Sequence, residues 1–320
     1  MPSPGKNSPS FLHARITISL ATIVLAAAVA WTSSALLACG GSGHSSVGDS
    51  TGWVDRCPPY PSFPDASCTG PTTSNLALYT GSLEFRTDNQ VVENVELRID
   101  SGLYVPASNV TFRNVKIVFT GALNSDFTMV NLNNNSGTVF QDCELDGQGN
   151  VARAIAGSGV TVRNCEIHHT GNGIETDSPL VAEGNYIHDI YEPDGTDWHA
   201  DGIQTPASSS HVTIRHNTVF GRDPATSAIN VMGTPADPAA GTPADPATDV
   251  LIEQNLLAGG GYTIYAGPGS NYRVIDNHFS TQFFPKVGFW NIWYWEPSED
   301  GVLRSGNVIH ETGAAANENL

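Results

Sequence analysis

Val162-Arg-Asn-Cys-Glu-Ile167, Ala182-Glu-Gly-Asn-Tyr-Ile187, Ile214-Arg-His-Asn-Thr-Val219, Ile252-Glu-Gln-Asn-Leu-Leu257 and Val274-Ile-Asp-Asn-His-Phe279 are variants of one short pattern. Earlier copies are Val92-Glu-Asn-Val-Glu-Leu97, Phe112-Arg-Asn-Val-Lys-Ile117 and Phe140-Gln-Asp-Cys-Glu-Leu145. The last copy, Leu303-Arg-Ser-Gly-Asn-Val-Ile309, is one residue longer. One column runs through all of them: Val95, Val115, Cys143, Cys165, Asn185, Asn217, Asn255, Asn277 and Asn307. Its spacings are 20, 28, 22, 20, 32, 38, 22 and 30 residues. A basal unit of about 20 to 22 residues with insertions is the length class of β-solenoids. Stacked coils lie ~4.8 Å apart, so like residues sit on like residues. In-register asparagines then bond amide to amide and satisfy groups that the turn otherwise buries unpaired. Cys143 and Cys165, one coil apart, either stack as thiols or bond as a disulfide.

A second strand follows each copy: Thr128-Met-Val, Ala154-Ile-Ala, Gly173-Ile-Glu175, Gly202-Ile-Gln204, Ala228-Ile-Asn230 and Thr263-Ile-Tyr265. The central apolar residue points into the core and its neighbours point out. The outward column therefore reads Glu175, Gln204, Asn230, Tyr265. The whole pattern, from about Val91 to Ile309, resembles the right-handed parallel β-helix superfamily, which contains pectate-lyase-like and polygalacturonase-like enzymes. The resemblance implies an all-β solenoid of about nine to ten coils. Leucine-rich repeats are set aside because their leucine spacing is absent. An immunoglobulin-like sandwich is set aside because the hairpin turn signals are missing.

Outward from the repeats, the N-terminus reads as an export signal. Met1 to Arg15 is polar and basic, and Ile16 to Leu37 is almost wholly apolar. The run is long enough for a membrane span, so an uncleaved anchor is the competing reading. Leu36-Leu37-Ala38-Cys39-Gly40 resembles a bacterial lipobox, which implies cleavage before Cys39 and its lipidation. The expected organisation is a signal peptide at 1–38, a tether and proline-rich cysteine loop at 39–75, and the solenoid at 76–320. The chain is expected to be exported and lipid-anchored to the cell membrane or the outer membrane, facing the periplasm or the exterior and held by the lipid alone.

The chain of 320 residues has a net charge of −18, and loss of Lys6 and Arg15 with the signal makes it about −20. An acidic surface argues against nucleic acid as partner, because phosphate contacts need basic residues. A polysaccharide is the expected partner, and a monomer the expected state. Four cysteines remain after Cys39. Cys57 and Cys68 flank Pro58, Pro59, Pro61 and Pro64 and are expected to pair in an oxidising compartment. A metal site there is the alternative, but no histidine sits nearby.

Two insertions bracket one stretch of the solenoid. Tyr191 to Ala200 carries Glu192, Asp194, Asp197, Trp198 and His199. Thr234 to Ala247 is an imperfect eight-residue duplication without strand or helix periodicity, and is read as a loop. Loops beside an exposed β face build groove walls. The densest polar cluster is His168, His169, Glu175, His188, Asp189, His199, Asp201 and Gln204, on three successive coils. His199-Ala-Asp201-Gly202 resembles the Asn-Thr-Asp-Gly segment of polygalacturonase-like hydrolases, and Asp201 matches its acidic residue. That family's Asp-Asp, Gly-His-Gly and Arg-Ile-Lys signatures are absent here.

Three functions fit these residues. A lyase or epimerase on an acidic glycan, placed first by the resemblance, needs a base: His199, His169 or Lys286. It also needs a carboxylate partner, either Arg215 or a calcium ion on Asp189, Asp197 or Asp201. A glycoside hydrolase needs two carboxyls, Asp201 with Glu175, Asp189 or Asp197. A histidine–carboxylate zinc site is chemically possible but has no spacing motif. A non-catalytic glycan-binding or adhesion protein is the rival from another class. Gln204, Asn230, Tyr265 and Arg215 are candidate sugar contacts. Trp293, from the aromatic run Phe283 to Trp295, aligns with Tyr265 as a sugar platform, and the alternative for that run is an end cap.

Overall fold

The computed structural model describes residues 55–133, 135–222, 224–284, 287–290 and 300–316. Cys39, the export signal, Lys286 and Trp293 lie outside the described residues. Among the described residues the regular structure is β-strand throughout, and every pairing between strands is parallel. The strands form an eight-stranded sheet, here sheet B, and a 17-stranded sheet, here sheet A.

One coil illustrates the path. Strand Leu180–Glu183 enters sheet A, the chain bends at Asn185, and strand Tyr186–Ile190 continues sheet A. Residues 191–200 then lead into strand Asp201–Gln204 of sheet B, and the next coil begins at strand Ser210–Arg215. Sheet A is therefore two ladders joined along the bend. They merge where strands Val91–Ile99 and Thr111–Phe119 run straight through it.

Burial of stacked aliphatic columns drives this shape. Ile155, Ile174, Ile203, Ile229 and Ile264 stand in register beneath sheet B, all fully buried. Opposite them run Leu145, Ile167, Ile187, Val219, Leu257 and Phe279. Each such side chain contributes about 1.5–3 kcal/mol relative to exposure. The inward column differs from the sequence reading at one point. Val130, not Met129, is the register partner of Ile155, although both are fully buried.

The bend is held by the asparagine column. Asn217 Oδ1 accepts from the backbone N–H and the side-chain amide of Asn185, at 3.0 and 2.9 Å. Asn255, Asn277 and Asn307 repeat the arrangement. Each amide also donates to a carbonyl of a strand in the preceding coil, such as Ala182 from Asn217. Cys143 and Cys165 are free thiols in the same column. The Cys143 N–H reaches Cys165 Sγ at 3.4 Å, and Cys143 Sγ donates to the Phe112 carbonyl. A thiol is a weak donor and weak acceptor, so it fills the asparagine position at reduced strength. Stacked thiols, rather than a disulfide, resolve the pair.

Cys57 and Cys68 are bonded. Their loop lies across the bends of sheet A. Asp55 pairs with His216 at 2.9 Å, Arg56 with Asp142 at 3.0 Å, and Thr218 donates to the Pro64 carbonyl.

The eight-residue duplication departs from the loop reading. It folds back as an antiparallel ribbon whose two rungs are Thr234–Asp245 and Asp237–Thr242. The threonine of each copy thus pairs with the aspartate of the other. The four prolines, which have no N–H to give, avoid the rungs: Pro235 and Pro243 lie between them, Pro238 in the turn and Pro246 just past the outer rung.

Candidate functional site

Parallel strands in sheet B place equivalent residues one strand spacing apart, ~4.8 Å. Glu175, Gln204, Asn230 and Tyr265 stand in register on its outer face, as the alternation predicts. The next register partner is Trp290, not Trp293. The aromatic run enters the sheet at strand Phe289–Trp290, three residues before the sequence alignment put it.

A second column lies three residues earlier on these strands, two before each central isoleucine: Arg153, Asn172, Asp201 and Ser227. It ties the first column together. Arg153 pairs with Glu175 at 2.7 Å and with Asp126 at 3.1 Å. Asn172 donates through Nδ2 to Glu175 and to Gln204, while its Oδ1 accepts the Asp201 N–H. The carboxyl of Asp201 accepts from Ser227 Oγ on one oxygen and from Asn230 Nδ2, at 3.1 Å, on the other. Asp201 is 1% exposed, so it lies below the sheet surface, under Asn230. Burial pushes its carboxyl up to about 6, against the hydrogen bonds from Ser227 and Asn230; the negative charge of Glu175 adds to the rise. Burial and the Asp201 charge likewise raise the Tyr265 phenol. The second column was readable from residues two before each central isoleucine, where Arg153, Asn172 and Asp201 are all polar.

The two insertions stand at opposite ends of the sheet B strands. Residues 191–200 precede strand Asp201–Gln204, and the ribbon follows strand Ser227–Val231 one coil on. Trp198 lies against Gly171, where a Cβ would meet the indole at 2.6 Å, so only glycine lets the ring close on that corner. His199 is exposed, its side chain 76% accessible, with Asp197 3.6 Å away. The charge of His199 reaches Asp201.

The remaining members of the sequence cluster sit elsewhere. His168 and His169 lie in strand Glu166–Thr170, and His188 and Asp189 in strand Tyr186–Ile190, all in sheet A. The cluster therefore splits between two sheets, because each coil turns a corner at Gly171 or in residues 191–200. Asp189 is bound by His188 and Arg222, each at 2.8 Å; these hydrogen bonds outweigh burial and hold its carboxyl below the usual range. Asp197, 90% exposed, touches only the His199 ring among the ion pairs of the described residues. Arg215 is also on sheet A, bonded to Glu183 at 2.6 Å.

Fold and site together define a parallel β-solenoid with a polar, acid-bearing row along one sheet. A family model described as right handed beta helix region matches residues 81–241, half of the chain, and the chain belongs to that family. Neither curated proteins nor solved structures yielded a match.

Proposed function

We propose that the outer face of sheet B binds a polysaccharide chain and that Glu175 and Asp201 carry acid–base chemistry on it. Glycoside hydrolysis is the reaction this arrangement favours. The observation that carries the reading is the Asn172 link between two carboxyls in unlike environments. Glu175 is on the surface and ion-paired with Arg153; Asp201 is buried and takes up a proton near pH 6. Two carboxyls set apart by environment are the acid–base pair that glycosidic cleavage needs. Glu175 meets the sugar directly, and Asp201 reaches it when the Asn230 amide turns aside. Gln204, Asn230 and Tyr265 supply contacts to successive rings.

Elimination or epimerisation at a uronate is less well supported. Neither arginine candidate for the uronate carboxylate serves this face: Arg153 is committed to Glu175 and Asp126, and Arg215 is on the other sheet, so elimination rests on a bound cation. The lipobox-like Leu36 to Cys39 supports display of this face outside the cytoplasmic membrane.

The test is release of new reducing ends from a panel of neutral and acidic polysaccharides, with ultraviolet absorbance of unsaturated uronates followed in parallel. The reading expects reducing ends without that absorbance, and a loss of at least about a hundredfold in Glu175→Gln. Unsaturated products establish elimination instead. Binding without either product establishes a binding module.

A further inference from the structure

We infer that Asp146, His168 and His169 form a site for a divalent metal ion of the zinc class, on sheet A and apart from the sheet B face. Among the described residues these are the side chains whose ligand atoms converge as a group of three. His168 Nδ1 and His169 Nδ1 are 2.8 Å apart. Asp146 Oδ1 lies 3.1 Å from the second and 3.7 Å from the first. A triangle with these sides has a circumradius of about 1.9 Å. A point 2.0–2.1 Å from all three atoms, the usual zinc–nitrogen and zinc–oxygen distance, therefore lies just off its plane.

The surroundings hold the three atoms in place. Glu144 faces His168 Nε2 at 3.4 Å and is itself held by Lys116 at 2.7 Å. A carboxylate on the far ring nitrogen leaves the Nδ1 lone pair for the metal, the usual outer-shell arrangement. Gln148 donates its backbone N–H to Asp146 Oδ1 and its side-chain amide to Oδ2. Gly147 and Gly149 donate to the carbonyls of His168 and His169. The His188 ring stacks on His168 with centroids 5.0 Å apart.

Two imidazoles and one carboxylate suit borderline ions such as Zn2+ and Co2+, whereas Ca2+ and Mg2+ prefer oxygen throughout. The fourth position faces solvent: the His169 side chain is 43% exposed, and Asp146 and Gln148 line an open hollow of about 370 Å3. Water completes the shell there. Asp146 and His168 are register partners on successive coils, so the ion cross-links two rungs of the solenoid.

The test is a titration of the purified full chain, in detergent and freed of metal with a chelator. Co2+ is followed by visible absorption and Zn2+ by calorimetry and thermal melting. The site predicts one Co2+ per chain with four-coordinate bands, displacement by Zn2+, a melting temperature that rises with Zn2+, and no competition from Ca2+. His169→Ala and Asp146→Asn weaken binding at least about tenfold with an unchanged circular dichroism spectrum. If either variant loses its fold, the other decides. The double variant His278→Ala, His310→Ala removes the other facing imidazole pair, 3.0 Å apart, and leaves binding intact. Binding that fails to reach one ion per chain, survives both ligand variants, or disappears in the His278, His310 double variant overturns the assignment.

Discussion

Asn230 donates its side-chain amide to the buried carboxyl of Asp201 at 3.1 Å, so a residue on the sheet surface is tethered to a titratable group below it. The folded chain holds the Asp201 proton up to about pH 6, whereas the ordinary value is 3.8. A raised carboxyl contributes stability at low pH that is lost as pH rises through the folded value. Asp201→Asn removes that loss. Denaturant unfolding at pH 4 and pH 7 should show the variant gaining on the parent by at most about 3 kcal/mol. An unchanged difference between the two pH values contradicts the buried, raised carboxyl.

The asparagine column makes a second prediction. Asn255→Ala leaves the Asn217 N–H without its acceptor, takes one of three acceptors from the Asn217 amide, and removes the side-chain donor to the Ile214 carbonyl. Buried groups left unsatisfied cost about 1–3 kcal/mol each. Urea unfolding should show a loss of several kcal/mol. Asn255→Cys should lose less, because Cys143 and Cys165 already serve in this column.

Those two thiols are fully buried, and burial pushes the Cys165 thiol well up. A thiolate is the reactive form, so Cys165 should resist alkylation in the folded chain on that ground and by burial, and Cys143 by burial. Iodoacetamide labelling with peptide mapping should leave Cys143 and Cys165 unmodified until denaturant is added. Labelling at either position under native conditions contradicts the stacked, closed bend.

The clasp between the cysteine loop and the solenoid is pH-sensitive. Burial disfavours a charged His216, but hydrogen bonds to Asp55, at 2.9 Å, and to the Ser62 carbonyl, at 3.0 Å, outweigh it and raise its pKa. A raised histidine stabilises fully below its ordinary 6.5, and that stability is lost as pH climbs through the folded value. Asp55→Asn should lower the His216 titration midpoint in an NMR pH series. It should also flatten this loss of stability as pH rises from 6.5 through the folded value.

The fold was readable because it repeats. Column residues such as Asn217 and Ile203 recur at a coil length that few architectures share, and alternation alone put Glu175, Gln204, Asn230 and Tyr265 on one face. Met129 is buried as the alternation expects but is not the partner of Ile155, because Met129, Val130 and Leu132 are all apolar and buried and the pattern does not single one out; Trp293 falls in an aromatic run with several equivalent alignments. The polar cluster was misjoined because nearness along the chain does not show which side of a corner a residue takes. His168 and Asp201 belong to different sheets although their coils are adjacent. Asp146 was overlooked as a metal ligand because its partners lie one coil away and share no sequence spacing. The antiparallel ribbon was hidden because prolines mask strand periodicity while leaving Thr234, Asp237, Thr242 and Asp245 free to pair.

Hydrogen–deuterium exchange of Glu175→Gln, with and without each polysaccharide of the panel, tests the central claim most directly, because it locates the glycan without requiring turnover. The sheet B reading predicts slowed exchange in residues 172–176, 201–204, 227–231 and 264–266, and in the flanking segments 191–200 and 232–246. Protection confined to sheet A, or none with any glycan of the panel, contradicts it.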